Sequence, residues 1–132
     1  MDEPVAPNLR HRTNAGVLAY VEKLSAHTDV ASALIEALQP LGDVQLFCPD
    51  PTRCRYVVAA SATVIFAFAT GMNQLGFRLD ALLRTRALLS GAAACPQCGE
   101  DWVCFTLFRD DWPAPDLPFW ARKAYVFARQ TL

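Results

Sequence analysis

Residues 56–77 read YVVAASATVIFAFATGMNQLGF, a stretch of 22 positions without a formal charge. A run of about 18 or more apolar residues is the pattern of a membrane-crossing helix. Here Ser61, Thr63, Thr70, Asn73, Gln74 and two glycines interrupt the run. Its apolar members are largely Val, Ile, Phe and Ala, and β-branched and aromatic residues suit strands buried on both faces. The stretch therefore reads as core strands over 55–60 and 64–70, with the turn Gly71-Met72-Asn73-Gln74 leading into a further strand. No membrane span is expected.

Working outward, Val17, Tyr20, Val21 and Leu24, then Ala31, Ile35 and Leu38, recur at spacings of three and four. That places them on one helical face. His27-Thr28-Asp29 offers a break and a new N-cap, so the segment is one long helix or two. Gln39-Pro40-Leu41-Gly42 ends it, because Pro cannot continue a helix and Gly permits the turn. Val44, Leu46 and Cys48 alternate with Gln45 and Phe47 in a first strand, which stops at Pro49-Asp50-Pro51. Beyond the central stretch, Leu75, Phe77 and Leu79 alternate with Gly76 and Arg78.

Asp80 caps a helix running to Ser90, with Gly91 just past its end. Its inner face would carry Leu79, Leu82, Leu83, Ala87 and Leu89, with Arg86 in the middle. Residues 102–108 form a fifth strand, and residues 117–130 a last helix with Leu117, Trp120, Ala121, Ala124, Tyr125 and Ala128 on one side. The expected fold is α+β. An antiparallel sheet of about five strands carries N-terminal, middle and C-terminal helices packed mainly on one face. Residues 1–13 read as a flexible arm and 14–132 as a single domain, since 132 residues leave little room for a second core.

The formal net charge is −1, and ten of the twelve basic residues are Arg. No basic footprint for nucleic acid appears in that total. The start, Met1-Asp2-Glu3-Pro4, lacks a secretory signal, so a cytoplasmic protein with reduced cysteines is expected.

Cys95-Pro96-Gln97-Cys98-Gly99 carries the strongest local signal. Two thiolates two residues apart on a turn can occupy adjacent corners of a zinc tetrahedron. Cys48 and Cys54 would complete the set, with Cys104, His11 and His27 as substitutes. The same cysteines could instead be small buried hydrophobes. A redox-active pair would be expected at a helix N-terminus after a strand, whereas this one follows a helix and precedes a strand. Arg86 either pairs with Asp80, Asp110 or Asp111, or joins Arg78 in a cationic contact for an anion or a partner carboxylate. Phe119, Trp120, Val126 and Phe127 give the last helix more apolar surface than one buried face needs, which points to an interface. No Gly-x-Ser-x-Gly elbow, Gly-rich phosphate loop or His-Glu-x-x-His helix occurs, so no catalytic residue is assigned.

The run Val64-Ile65-Phe66-Ala67-Phe68-Ala69 with its turn, the strand to Leu79 and the helix from Asp80 form part of a known order of elements. With Trp102-Val103 in a late strand and Ala124-Tyr125 in a final helix, residues 64–129 resemble the small CyaY-like α+β domains of the YjbR/MmcQ type. The resemblance implies a sheet backed by helices and a role in DNA binding. The order of elements is also similar to that of secretion chaperones, which are dimers that bind unfolded segments. The leading expectation is a non-enzymatic, bacterial-type interaction domain, homodimeric through its last helix or an edge strand. The alternatives are a small zinc-binding domain and a weak nucleic-acid-binding module.

Overall fold

The computed structural model describes residues 11–21, 26, 28–47, 57–108 and 114–131. The uncharged stretch forms β2 (Val57–Ser61) and β3 (Val64–Thr70), and every residue of both is buried. Ala62 turns between them in a left-handed conformation, φ 57°. Gly71, φ 69°, then leads into β4 (Gln74–Arg78). β1 (Val44–Phe47), β5 (Ala93–Ala94) and β6 (Trp102–Thr106) complete an antiparallel sheet of order β1-β2-β3-β4-β6-β5. The α+β class is as expected, with six strands. β5 carries no sequence signal of its own; its two alanines become a strand by pairing with Cys104 and Val103.

A bulge in β3 decides which residues face which way. Ala67 pairs with Ala59 and Ile65 with Ala60, so Phe66 is the extra residue between them. Such an insertion shifts the in–out alternation by one position. Val64, Phe66, Ala67 and Ala69 consequently join one core, while Ile65 and Phe68 join the other. The Phe66 ring meets Tyr125 edge-on, with centroids 5.8 Å apart, and the Phe68 ring lies against Tyr20 and Trp102. Gly76 pairs with Phe68 across the strands. A side chain there would collide with the Phe68 ring, because a Cβ on Gly76 would sit 2.0 Å from it.

A sheet apolar on both faces needs cover on both. α2 (Thr28–Leu38) and α4 (Leu117–Thr131) share one face, and α1 (Ala15–Val21) covers the other. The N-terminal segment is thus two helices, and its apolar residues do not form one continuous stripe. α2 buries Val30, Leu34, Ala37 and Leu38, whereas Ile35, expected inside, is exposed. Asn14 fixes the start of α1 to the β2–β3 turn: its amide donates to the Thr63 carbonyl at 2.8 Å and accepts from the Ile65 N–H at 2.9 Å.

α3 (Ala81–Leu89) is capped by Asp80, whose carboxylate accepts from the Leu83 N–H at 2.9 Å. It buries only Ala87 fully. Leu82 and Leu89, expected on the inner face, are 73% and 83% exposed, and Arg86 is exposed between them. α3 packs against the sheet's edge at β5 and β6, where there is room for one small residue and part of Leu83. The last helix buries Trp120, Ala121, Ala124 and Ala128 as the spacing predicts. No helix among the described residues is long and apolar enough to cross a membrane.

Candidate functional site

The turn between β5 and β6 is built by backbone bonds. Cys95 N–H donates to Trp102 O at 3.1 Å, Cys98 N–H to Cys95 O at 3.0 Å, and Trp102 N–H to Gly99 O at 3.3 Å. Closing the chain this tightly brings the sulfurs of Cys95 and Cys98 to 2.9 Å. Cys104, on β6, is hydrogen-bonded to Cys95 as well. All three thiols are buried and free. The Gln74 side chain reaches Cys104, and the Tyr20 hydroxyl donates to Gln74 Oε1 at 2.8 Å. A polar chain therefore runs from Tyr20 on α1 through Gln74 on β4 to three sulfurs.

Hydrogen bonding among the three sulfurs pushes their pKa values apart. Hydrogen bonds from Cys104 and Cys98 hold the Cys95 thiol far below its ordinary range, against the effect of burial. The two donors are raised in turn, first by that bond to Cys95 and then by burial. Burial also raises Tyr20, partly offset by its bond to Gln74.

α1 lies directly on this loop at Gly16. A Cβ at that position would be 2.3 Å from the Cys98 carbonyl oxygen, a backbone atom that cannot rotate aside. Gly16→Ala is expected to displace α1 and to cost about 1–3 kcal/mol in stability. Thiol titration with a chromogenic disulfide checks the displacement, since Cys95 and Cys98 should then react faster than in the parent protein.

Two zinc-bound sulfurs in a tetrahedron are about 3.8 Å apart, given Zn–S bonds of about 2.3 Å. The Cys95–Cys98 separation of 2.9 Å is shorter than that. No group of three or more His, Cys, Asp or Glu among the described residues is arranged to hold a metal ion. Cys48, Cys54 and His27 lie outside the described residues. His11 caps the short turn over Arg12–Asn14, its ring accepting from the Thr13 N–H at 3.2 Å.

Arg78 and Arg86 have separate surroundings. Arg78, at the end of β4, is buried between Asp101, the Thr131 hydroxyl and the Phe127 ring, with its guanidinium carbon 4.5 Å from that ring's centre. Asp101 also binds Arg84, which donates in addition to the Leu79 carbonyl. Burial pulls Arg78 below its ordinary pKa, and Asp101 opposes that effect. Arg86 lies over the Phe119 ring at 5.8 Å. The suggested partners Asp110 and Asp111 are outside the described residues. Beside Arg78, a polar cleft of about 330 Å³ is lined by Arg12, Gln97, Cys98, Asp101 and Trp102, among others.

A second cleft, of about 560 Å³, opens where α3 ends and α4 begins, with Leu89, Phe105, Pro115, Asp116, Phe119 and Trp120 in its lining. Of the four residues expected at an interface, Phe119 lines this cleft, while Trp120 is buried at its base. Val126 is exposed, and Phe127 is half-buried beneath Arg78. Sequence reasoning missed Asp101, which looks like a turn residue, and the links through Asn14, Tyr20 and Gln74. Each joins residues more than twenty positions apart, so no local pattern marks them.

No protein-family model matches this chain, and no curated protein or solved structure does so.

Proposed function

We propose that this domain is a non-enzymatic protein-interaction module that pairs with a second copy of itself through the face formed by α3 and the start of α4. The observation that carries this reading is the outward placement of Leu89 at a cleft floored by Phe105 and Trp120, with Leu82 exposed on the same helix. Large exposed leucines on a helix too short to need them for packing act as a ridge, and the cleft next to them is a groove. A ridge and a groove on one face are self-complementary about a two-fold axis, the commonest symmetry of soluble oligomers. Arg86 on the ridge and Asp116 at the groove add opposite charges that such an axis would bring together.

Light scattering coupled to size exclusion tests the reading. Burial of one leucine contributes about 2 kcal/mol, and a two-fold axis counts each substitution twice. Leu89→Glu is therefore expected to weaken the dimer by about a hundredfold or more, while the circular dichroism spectrum stays unchanged. A parent protein that remains monomeric at every accessible concentration would remove the reading.

A second reading is a small zinc-binding domain. The hairpin turn that gathers Cys95 and Cys98, with Cys104 alongside, supports it. The two sulfurs would have to separate by about 0.9 Å to bind one ion. Metal analysis of protein purified without chelator decides it, and a zinc ratio near zero removes it.

A further inference from the structure

The polar cleft beside Arg78 and the thiol cluster meet at Cys98. Its sulfur is 2.9 Å from that of Cys95, and Cys98 itself is part of the cleft lining. Cys104, on β6, is the third buried free thiol. The cysteines pack in the α1-side core, but the proposed pairing of two copies does not use them. We infer that Cys95 and Cys98 form a reversible dithiol–disulfide site that reacts with a small hydroperoxide entering through this cleft.

The geometry supplies each part of the reaction. The 2.9 Å contact lets a proton pass between Cys95 and Cys98, so Cys98, which lines the cleft, can take the thiolate role. Cys98, as thiolate, attacks one peroxide oxygen: the S–O bond forms, the O–O bond breaks, and hydroxide leaves. That hydroxide takes the Cys95 proton and becomes water. The Cys95 thiolate then attacks the Cys98 sulfur, forming the S–S bond and expelling the second hydroxide, which takes a solvent proton. Two thiols and one peroxide thus become one disulfide and two waters, with two electrons passing from sulfur to oxygen. The sulfurs need to close by only about 0.9 Å to reach a disulfide bond length, and the turn already holds the backbone for it.

The full chain treated with hydrogen peroxide tests this. Five cysteines are present, so the product is digested and mapped by mass spectrometry. The expected result is a peptide spanning Cys95 and Cys98 that has lost two hydrogens and regains them with dithiothreitol. Cys95 and Cys98 still free after prolonged exposure to excess peroxide would overturn the inference. So would one tightly held zinc per chain that protects these two thiols. Both outcomes are read on the parent protein and do not depend on any variant folding, and neither bears on self-association.

Discussion

Phe68→Ala is expected to lower the unfolding free energy by about 3–5 kcal/mol. Phe68 is fully buried on the α1 side of the sheet, packed against Tyr20 and Trp102 with ring centroids 5.8 and 5.5 Å away. Its ring also covers Gly76, which has no side chain to fill the space left behind. The cavity would therefore open between β3, β4 and α1, where no neighbour can collapse into it. Domains of this size are stable by about 5–15 kcal/mol, so the loss is a large fraction of the total. Chemical denaturation of parent and variant measures it. A change below about 1 kcal/mol would mean that the ring does not occupy this position. The same variant should loosen α1 over the cysteine loop, because Tyr20 loses its packing partner.

Asp101→Ala is expected to have the second large effect, about 3 kcal/mol of destabilisation. The carboxylate binds both Arg78 and Arg84, and Arg78 is only 6% exposed. Removing Asp101 leaves a buried guanidinium whose remaining polar and ring contacts among the described residues are the Thr131 hydroxyl and the Phe127 ring. Replacing the cation as well should recover most of the loss, since Met at position 78 could lie on Phe127 without an unpaired charge. The double variant Arg78→Met/Asp101→Ala is therefore expected to be more stable than Asp101→Ala alone. Thermal unfolding of the four proteins of this cycle gives the coupling energy, and a coupling near zero would refute the pairing.

The two arginines that stand out in the sequence differ in legibility for the same reason. Arg86 interrupts a run of leucines, so helical spacing alone places it on an inner face. The helix in fact lies at the sheet's edge, and the leucines around Arg86 point outward. Arg78 alternates correctly with Phe77 and Leu79 as a strand residue, but nothing local says that Asp101 will meet it. Strand β6 sets that meeting by pairing Trp102 with Arg78. The cysteine loop was legible as a turn bearing two thiols. Its third thiol, Cys104, was visible only as another cysteine, because the β5–β6 hairpin brings it back beside Cys95.

The composition of residues 56–77 by itself determined that the core would be a sheet. An uncharged run rich in Val, Ile, Phe and Ala, interrupted by polar turns, suits strands buried on both faces better than a helix. Capping at Asp80, the turn at Gly71 and the inner face of the last helix were equally local, and each follows from residues within a few positions. Which face each phenylalanine would take was not local. Strict alternation sends Phe66 and Phe68 to the same side, and the bulge at Phe66 sends them to opposite sides. That choice is made by the partner strand's register and by the two layers of helix competing to cover the sheet. It also determines that α1 has Phe68, Trp102 and the cysteines to cover.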